Sequence, residues 1–493
     1  MSAKTFDRSI VWLRRDLRLD DNRALYEARR RSRFVCLAFV LSPALIENGR
    51  IGAPLTCMFL DALADLRSSL TAHMSDLILL EGNFAEELTR LAVRLRCQAV
   101  FYNEDYEPFA VQRDRQVERR LRSCGIAVHA FTDHVYFGAD EVVREDGEPY
   151  RVFTAYKRRW LDFWNTGARL PLPSSDGLPA QLIGRDALGS TLSVPQPERY
   201  GFSSRLARAG AGEVIARNRL QWFLKENGPV DRYATDRNIP CVDGTSQLSP
   251  QLRAGTIGIR RCVETAFARL RERGNNVQTG VNEWISELIW RDFYQMILRR
   301  FPHVTERSFH PSGDRIAWRD PEEMFPRWCE GRTGYPLVDA AMRQLNATGW
   351  MHNRLRMLAA SFLTKDLLID WRFGERYFEQ RLSDADVAQN NGGWQWAASV
   401  GTDAVPYFRV FNPVLQSKHF DAGGAFIRRM VPELGNVPDR YIHEPWMMPP
   451  ILQGSQATVI GQDYPAPLVD HGAAARRAVA IFSRALRPER ARA

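Results

Sequence analysis

The chain has 493 residues, a formal net charge of +9 at pH 7 and a hydrophobic content of 45%. The length predicts two or three domains, and this hydrophobic content excludes general disorder. The positive charge favours a polyanion such as nucleic acid as a partner, although an arginine-rich proteome would produce the same balance.

Cysteine and histidine usage indicates the compartment and predicts no metal site. The seven cysteines are scattered and none forms a CxxC pair, and the nine histidines form no paired ligand set. We therefore expect free thiols in a reducing cytoplasm and no bound metal. The sequence has no run of roughly 18 apolar residues. Residues 1–19 also lack the apolar stretch of a secretory signal, so no membrane association is expected.

Short apolar runs alternate with amphipathic stretches over the first 135 residues. The runs lie at 10–13, 34–41, 77–80, 99–102 and 126–131, and helical patterns occur between them, for example at 85–96 and 111–122. Continuous apolar strands separated by helices predict an α/β fold with a doubly wound parallel sheet. No GxGxxG follows the first strand, so a Rossmann-type dinucleotide site is not expected there.

The character of the sequence changes after residue 135. Proline-rich segments at 171–177 and 195–197 indicate a long connector, and helical periodicity dominates from about residue 205 onward. We predict an α/β domain at 1–135, a connector at 136–204, a large all-α domain at 205–475 and a basic tail at 476–493.

The segment 281–300 predicts a helix with two unlike faces. Two tryptophans and a tyrosine on one face are unusual for a solvated surface. The helix is therefore either buried on both sides or lines a pocket in which a carboxylate lies among aromatic rings. The first face carries Ile285, Ile289, Phe293 and Met296, and the opposite face carries Trp284, Glu287, Trp290, Arg291 and Tyr294.

The segment 350–370 shows a similar pattern. Trp350, Asn353 and Met357 form a stripe flanked by two arginines, which is either a second packing face or a surface for a flat ligand of mixed polarity. The expected core stripe on the other side consists of Met351, Leu355, Leu358 and Phe362.

Two shorter segments suggest ligand contacts. Residues 244–249, GTSQLS, form a turn that opens a helix, and their hydroxyl and N–H groups suit either a phosphate or an ordinary helix cap. Residues 390–397, NNGGWQWA, place two glycines before two tryptophans. This predicts a backbone bent closely against a flat ligand.

These segments together resemble the DNA photolyase/cryptochrome family, and most closely the class I cyclobutane pyrimidine dimer (CPD) photolyases. The matching stretches, in the family's order, are VWLRRDLRLDDN, DGTSQLSPQLRAG, WISELIWRDFY, GRTGYPLVDAAMRQLNATGWMHNRLRM, FLTKDLLIDW and NNGGWQWAASVGTDAVPYFRVFNP. The resemblance implies an N-terminal antenna domain and a helical domain that holds FAD. It also implies blue-light-driven repair of CPDs in DNA, in which excited reduced FAD passes an electron to a flipped-out dimer.

The resemblance further implies which residues contact FAD. Asn390 matches the asparagine that faces flavin N5, and Asp384 and Asp386 match acidic residues near the flavin. Arg356 matches the arginine that pairs with the first of these two acids. The other implied cofactor contacts are Tyr233, Thr245, Ser246, Gln247, Leu248, Ser249, Trp284, Arg291 and Asn353. A chain of tryptophans that carries electrons from the surface to oxidised flavin is matched by Trp394, Trp371 and Trp318.

The resemblance implies a dimer pocket as well. Two tryptophans of this pocket flank the flipped bases, and Glu287 bonds the thymine edge. The implied pocket consists of Glu287, Trp290, Asn353, Met357 and Trp396, and phosphates around the lesion are contacted by Arg237, Arg354, Arg409 and Lys418.

The resemblance leaves the second chromophore open. The segment YNEDYEPFAVQRD lacks the Asn-Glu of folate-using relatives and is more similar to the deazaflavin-using branch. Folate, deazaflavin, another flavin or no antenna therefore remain alternatives.

Two side chains distinguish functions within the family. Asn353 and Met357 stand where (6-4) photolyases and animal cryptochromes carry histidines, which favours CPD repair. The resemblance at Trp290, Met357, Trp396 and Asn390 favours the repair enzyme over a cryptochrome-type photoreceptor. A dark flavin oxidoreductase would need a nicotinamide site, for which no fingerprint is found. The expected partner is UV-damaged DNA, single- or double-stranded, with no membrane and no obligate protein partner. The chain is expected to be monomeric and cytoplasmic.

Overall fold

A computed structural model describes residues 4–43, 46, 49, 51–202, 210–271, 275–455 and 458–486. The chain divides into two compact units. The first unit comprises Met1–Arg232, Ser246–Pro302 and Ser383–Asp386, and the second comprises Tyr233–Thr245, His303–Leu382 and Val387–Ala493. The domain boundaries at 135, 204 and 475 stay a prediction. The boundary at 204 and residues 487–493 of the predicted tail lie outside the described residues.

A five-stranded parallel sheet forms the centre of the first unit, in the order β3-β2-β1-β4-β5. Its register pairs Ile10 with Cys36 on one side and with Val100 on the other. Each apolar run predicted from the sequence forms one of these strands. The strands are β1 (Phe6–Leu13), β2 (Ser32–Leu41), β3 (Leu77–Glu81), β4 (Ala99–Asn103) and β5 (Ala127–Phe131).

The sheet is buried on both faces, because successive strand residues point to opposite sides. Val11 and Leu37 pack into one core with residues of helix Ala53–Thr71. Ile10 and Cys36 pack into a second core with residues of helix Phe84–Arg94. This arrangement confirms the doubly wound α/β fold predicted for the N-terminal region.

Helices supply the rest of the first unit. The longest is helix Asn275–Arg300, which contains the segment predicted to have two faces. The α-helices of this unit are Arg23–Arg31, Ala53–Thr71, Phe84–Arg94, Pro108–Ser123, Phe153–Thr166, Arg185–Leu188, Glu213–Leu224, Ser249–Ala254, Ile259–Arg271 and Asn275–Arg300. Short 3-10 turns lie at Leu178–Gln181, Pro197–Tyr200 and Pro229–Arg232.

The second unit is mostly helical, which confirms the predicted fold class of the C-terminal region. Its α-helices are Tyr233–Asp236, Met324–Cys329, Pro336–Thr348, Asn353–Ser361, Trp371–Arg381, Val387–Ala397, Pro413–Phe420, Ala425–Met430, Pro450–Ser455 and His471–Leu486. Short 3-10 turns lie at Pro302–Thr305, Pro311–Arg315, Pro432–Leu434, Asp439–Tyr441 and Pro445–Met447.

The segment 350–370 is helical over only part of its length. Helix Asn353–Ser361 begins after His352, whose side chain caps it by accepting a hydrogen bond from the Arg354 N–H at 3.2 Å. The helix continues as a π-helical turn, Phe362–Asp366. Leu368 then takes a positive φ of 56°, which a helix cannot continue through.

Two negative findings concern the described residues. No helix among them is both long and apolar enough to cross a membrane. No group of three or more His, Cys, Asp or Glu side chains in this part of the chain is arranged to hold a metal ion.

Candidate functional site

The 275–300 helix combines a packed face with a partly open one. Ile285, Ile289, Phe293 and Met296 are all buried, which confirms the predicted core stripe. On the opposite face Trp284 and Arg291 are also buried, whereas Glu287, Trp290 and Tyr294 are partly exposed. This face is therefore neither an ordinary solvated surface nor a second complete core face.

Trp290 is held as a rigid flat platform. Its ring stacks on Phe153 with a centroid separation of 3.6 Å and an interplanar angle of 7°. Tyr294, one turn further along the helix, lies 5.4 Å from the same indole. Phe153 was not found by sequence reasoning, because it lies in the predicted connector and its partner is distant in the chain.

The GTSQLS turn is tied to its surroundings by backbone and hydroxyl contacts. The Trp284 indole N–H donates to the Ser246 hydroxyl at 3.3 Å, and Arg219 donates to the Ser246 carbonyl at 2.9 Å. Helix Ser249–Ala254 follows, with Leu248 as its N-cap and no side-chain cap hydrogen bond. The ordinary capping role considered from the sequence is therefore absent. Thr245, Ser246 and Gln247 are partly exposed, Leu248 is buried and Ser249 is exposed.

Asp386 lies in a buried ionic cluster of the first unit. It is ion-paired with Arg15, and both of its carboxylate oxygens accept from the Gln295 amide at 3.0 and 3.1 Å. Burial alone would raise the pKa of Asp386, but Arg15, Arg253 and Arg291 hold it below its ordinary value. Asp386 is thus ionised and fixed in position.

Arg291 and Asp384 are also buried and belong to the same unit as this cluster. The Arg291 guanidinium donates to the His134 carbonyl, which orients it within the first unit. Asp384 is 7% exposed. Its pairing with Arg356 stays a prediction, because Arg356 belongs to the other compact unit.

A hydrogen bond fixes the orientation of the Asn390 side-chain amide. The residue lies in helix Val387–Ala397, and its amide nitrogen donates to the Glu375 carbonyl at 2.9 Å. Because only the NH₂ group can donate to a carbonyl, this contact fixes which end of the amide faces Glu375, and the amide oxygen and the second N–H remain for a ligand. The backbone predicted to bend at NNGGWQWA is instead a continuous helix, so that prediction was wrong. A Cβ on Gly393 would meet no atom within 4 Å, which leaves room beside this helix.

A cluster of guanidinium groups surrounds His352 in the second unit. Arg354 donates to Asn238 at 2.6 Å, Arg356 donates to the Met351 carbonyl at 2.8 Å, and Arg237 lies 5.3 Å above the ring of Tyr233. Burial, together with the charges of the three arginines, lowers the pKa of His352 to about 4. The cluster therefore has a positive field that suits phosphate groups.

The remaining predicted pocket residues of the second unit are partly accessible. Asn353 is exposed, and its amide lies 4.0 Å from the sulfur of Met357, which is partly exposed. Trp396 is also partly exposed and lies 6.4 Å from the ring of Phe411.

The three predicted electron-transfer tryptophans all lie in the second unit. Trp371 and Trp394 are buried, and Trp318 is partly exposed. Trp394 packs 6.1 Å from Trp328, a buried tryptophan that sequence reasoning did not single out. Trp328 belongs to an aromatic cluster with Phe325 and Tyr377.

Two predicted phosphate contacts differ in their surroundings. Lys418 forms an ion pair of 2.5 Å with Glu444, and both side chains are accessible to solvent. Arg409 is exposed, next to the exposed Phe408.

A cavity opens at the carboxyl ends of the strands in the first unit. It is lined by residues that follow β1 and β4, including Arg14, Arg15 and Glu107, and by apolar side chains such as Phe109. The order of the strands reverses between β1 and β4, and ligands of open α/β sheets bind at such points. Buried nitrogen atoms of Arg14, Arg15 and Arg253 at this cavity have no hydrogen-bond acceptor among the described residues.

The chain resembles known proteins over nearly its whole length. The family described as DNA photolyase matches residues 9–175, and the FAD binding domain of DNA photolyase matches residues 284–484. A deoxyribodipyrimidine photo-lyase of Vibrio cholerae is 41% identical over 479 residues, which cover 94% of this chain and 96% of that protein.

Solved structures agree with this resemblance. A class III photolyase from Agrobacterium tumefaciens has a TM-score of 0.88 at 33% identity, with 98% of each chain covered. An archaeal photolyase from Sulfolobus tokodaii with two FAD molecules has a TM-score of 0.81 at 30% identity, with 97% of this chain and 100% of that chain covered. The 41% identity over nearly the whole chain and the two family matches along it show that the chain belongs to the DNA photolyase family.

Proposed function

We propose that the chain is a light-driven lyase that splits cyclobutane pyrimidine dimers in DNA with FAD as its cofactor. The observation that carries this proposal is the nearly full-length similarity to deoxyribodipyrimidine photo-lyases, including the relative at 41% identity. FAD, when bound, supplies the light-excitable electron donor for ring cleavage. The residues described above provide binding, orientation and exclusion of water.

The orientation of Asn390 supports a flavin that is protonated at N5. One N–H of its amide donates to the Glu375 carbonyl, which fixes the amide and leaves its oxygen available as an acceptor. An accepting oxygen at this position favours an N–H donor, which N5 carries in the reduced cofactor. With FAD bound, an Asn390 oxygen directed at N5 would favour the reduced state that the reaction requires.

The Trp290 platform supports recognition of an extruded dimer. A base removed from the duplex loses its stacking partners, and an aromatic face replaces them. Phe153 holds the Trp290 ring from one side, so the platform needs no reorganisation when a base arrives. Glu287 lies three residues before Trp290 on the same helix face, where its carboxyl accepts N–H groups of the thymine edge.

Basic side chains of the second unit support the proposed DNA contacts. Arg237 and Arg354 repel each other, and phosphate groups that approach them would relieve this repulsion. Such contacts give affinity and salt dependence but little sequence readout, as a lesion-specific enzyme requires.

We further propose that the cavity of the first unit holds the second chromophore. The segment containing Glu107 and Phe109, which lacks the Asn-Glu of folate-using relatives, lines this cavity. Apolar walls suit a tricyclic ring, and the guanidinium nitrogens without acceptors suit its polar edge or an anionic tail. These features favour a deazaflavin or a flavin over folate. The similar structure with two FAD molecules is consistent with a flavin.

Repair itself tests the proposal. The purified FAD-loaded protein is reduced, mixed with an oligonucleotide carrying one thymine dimer, and assayed for restored thymine absorbance in blue light and in the dark. We expect restoration in light only, and none with Trp290→Ala. Bound FAD without restoration would contradict the proposal and favour a photoreceptor. The class I assignment, the monomeric state and the cytoplasmic location stay predictions.

The second chromophore has its own test. The material released from the purified protein by heat is separated from FAD and identified by absorbance and mass. A tricyclic compound that is lost in Phe109→Asp would support the cavity, whereas a released folate would contradict it.

A further inference from the structure

One edge of the parallel sheet in the first unit carries a dense group of arginines. The strands of a parallel sheet all begin at the same edge, and each connecting helix returns to that edge before the next strand. Arg8 of β1 lies opposite Phe34 of β2, and the Gln98 N–H before β4 donates to the Arg8 carbonyl at 2.9 Å. The exposed arginines at this edge, which together we call the amino edge, are Arg30, Arg33, Arg94, Arg96, Arg120 and Arg122.

The amino edge extends over three layers of the first unit. Arg30 lies at the end of the helix between β1 and β2, which packs on one face of the sheet, and Arg33 belongs to β2 itself. Arg94 and Arg120 lie in the last turns of the helices before β4 and β5, which pack on the other face. Neighbouring strands are about 4.8 Å apart, so the part of the edge from β2 to β5 is roughly 14 Å long. The amino edge is therefore a broad surface and not a pocket.

Two arginines of the amino edge have close acidic partners. Arg30 pairs with Glu27 at 3.5 Å, and Arg122 pairs with Glu118 at 2.6 Å. Each acid precedes its arginine by one turn of the same helix, so these pairs are local helix contacts. Exposed pairs of this kind are weak and can yield to another anion.

The other four arginines keep most of their charge. Arg33 reaches Asp7 only at 4.0 Å, and the two side chains are 71% and 51% exposed. Arg94, Arg96 and Arg120 form no ion pair with any residue in the part of the chain that the structure describes. The helix dipole favours a cation in the last turn of a helix, which explains Arg94 and Arg120 but neither Arg33 in a strand nor Arg96 in a turn. The amino edge thus carries more positive charge than its helix ends require.

We propose that the amino edge binds the phosphates of a second segment of DNA, separate from the segment that carries the lesion. None of the residues implied for the dimer pocket or for the phosphates around the lesion belongs to this edge. The proposed surface is therefore additional to the site of the proposed function.

Duplex DNA matches the amino edge better than a small anion does. Guanidinium groups bind phosphate oxygens in a bidentate manner. DNA presents one charge for about every 1.7 Å of its axis, an array that several arginines on a broad surface can contact together, whereas a small ligand needs a concave site. Contacts to phosphates alone carry no sequence information, so any undamaged duplex serves as the partner. Retention on undamaged DNA also allows the protein to slide and hop in search of a lesion.

Binding of an undamaged duplex tests the amino edge. The affinity of the FAD-loaded protein is measured in the dark by fluorescence anisotropy at several salt concentrations. We expect Arg33→Gln, Arg94→Gln and Arg120→Gln together to weaken binding by about tenfold or more at low salt and to reduce the slope of log K against log salt by about 3. The corresponding triple substitution to lysine keeps the charges and should keep most of the affinity, which distinguishes lost contacts from a folding defect.

A second triple variant controls for net charge. Arg115→Gln, Arg381→Gln and Arg476→Gln together remove the same charge from exposed positions outside the amino edge. We expect this control to change the salt slope by less than about 1. Equal losses of affinity and slope in the two triple variants would mean that net charge alone governs binding, and would overturn the site.

Simultaneous binding tests whether the second segment is separate from the lesion. The lesion site is first filled with a short single strand that carries one thymine dimer, and a labelled undamaged duplex is then added. We expect the duplex still to bind the wild type and to bind the amino-edge variant weakly, while both proteins repair the short strand at the same rate in blue light. Mutual exclusion of the two DNAs in the wild type would overturn the proposal.

Poly-L-glutamate distinguishes DNA from an acidic protein as the partner of the amino edge. We expect this carboxylate polymer to displace the duplex only at much higher charge concentration than unlabelled duplex does. Equal potency at equal charge would favour an acidic protein and overturn the assignment to DNA. Absence of light-driven repair would contradict the proposed function alone, because binding of the undamaged duplex is measured in the dark.

Discussion

Glu375 is an ionisable residue that contacts Asn390, the candidate flavin contact. Its carbonyl orients Asn390, and its carboxylate accepts from the Asn391 amide at 2.8 Å. Burial raises the pKa of the Glu375 carboxyl to about 8, although the Asn391 hydrogen bond opposes this shift. The folded chain therefore binds this proton more tightly than the unfolded chain does.

The pH dependence of stability follows from this difference in proton binding. The contribution of the proton is complete below the ordinary pKa of 4.5 and is lost as pH rises to about 8. We expect Glu375→Gln to flatten the fall in the free energy of unfolding over this range, as measured by denaturant melts at several pH values. The exposed Glu322→Gln is the control and should follow the wild type. An unchanged slope in Glu375→Gln would show that the carboxyl is ionised throughout.

Glu444 is ion-paired with Lys418, which is a predicted phosphate contact. Their exposed ion pair of 2.5 Å contributes at most about 1 kcal/mol, so it can yield to DNA at small cost. We expect Glu444→Gln to raise the affinity for DNA by about two- to fivefold, measured by fluorescence anisotropy. The same substitution made together with Lys418→Ala should have no effect. An equal gain in both backgrounds would mean that Glu444 repels DNA without acting through Lys418.

Trp318 and Trp328 are two candidates for the outer end of the predicted electron-transfer chain. Sequence resemblance selects Trp318, whereas Trp328 is the tryptophan whose ring packs 6.1 Å from Trp394. We expect Trp318→Phe to block photoreduction of oxidised FAD and Trp328→Phe to leave it intact, as followed by the loss of flavin absorbance. The reverse result would place the route through the cluster of Trp328 and Tyr377.

At the scale of elements, the packing of helix Trp371–Arg381 against helix Val387–Ala397 depends on Gly374. A Cβ at this position would lie 2.1 Å from Cη2 of Trp394 and 2.6 Å from Cδ2 of Leu363. We expect Gly374→Ala to destabilise the chain by about 1–3 kcal/mol, because the added Cβ would displace the buried ring of Trp394 from its packed position. Gly454→Ala is the matched control, since a Cβ there meets nothing within 4 Å. Equal stability of both variants in denaturant melts would show that the helices can separate freely.

Sequence patterns predicted some of the helices and strands and missed others. The strands were predictable because each is a continuous apolar run, and the core stripe of the 275–300 helix was predictable from its period. The π-helical turn Phe362–Asp366 was not, because no side-chain pattern marks it. The helical backbone at NNGGWQWA was missed because glycines weaken a helix on their own, and packing around Trp394 overrides that tendency.

At the scale of the whole molecule, the match to the FAD binding domain of DNA photolyase indicates FAD as a ligand of the folded chain. A ligand that binds only the folded chain stabilises it by mass action, by about 4 kcal/mol at 1,000 times its Kd. We therefore expect removal of FAD to lower the unfolding temperature, and added FAD to restore it with a logarithmic dependence on concentration. FMN, which lacks the adenosine monophosphate half of FAD, is the control ligand. An unfolding temperature that does not respond to added FAD would contradict binding of FAD by the folded chain.

The sequence by itself determined the fold class, the family and the residue types available at the candidate sites. These properties depend on periodicity and on ordered motifs, which are local in the chain. Tertiary structure alone decided that Phe153 supports Trp290, that the Glu375 carbonyl orients Asn390, and that Glu444 occupies Lys418. Each of these contacts joins residues that no local pattern links, because side-chain contacts depend on how the chain folds back on itself.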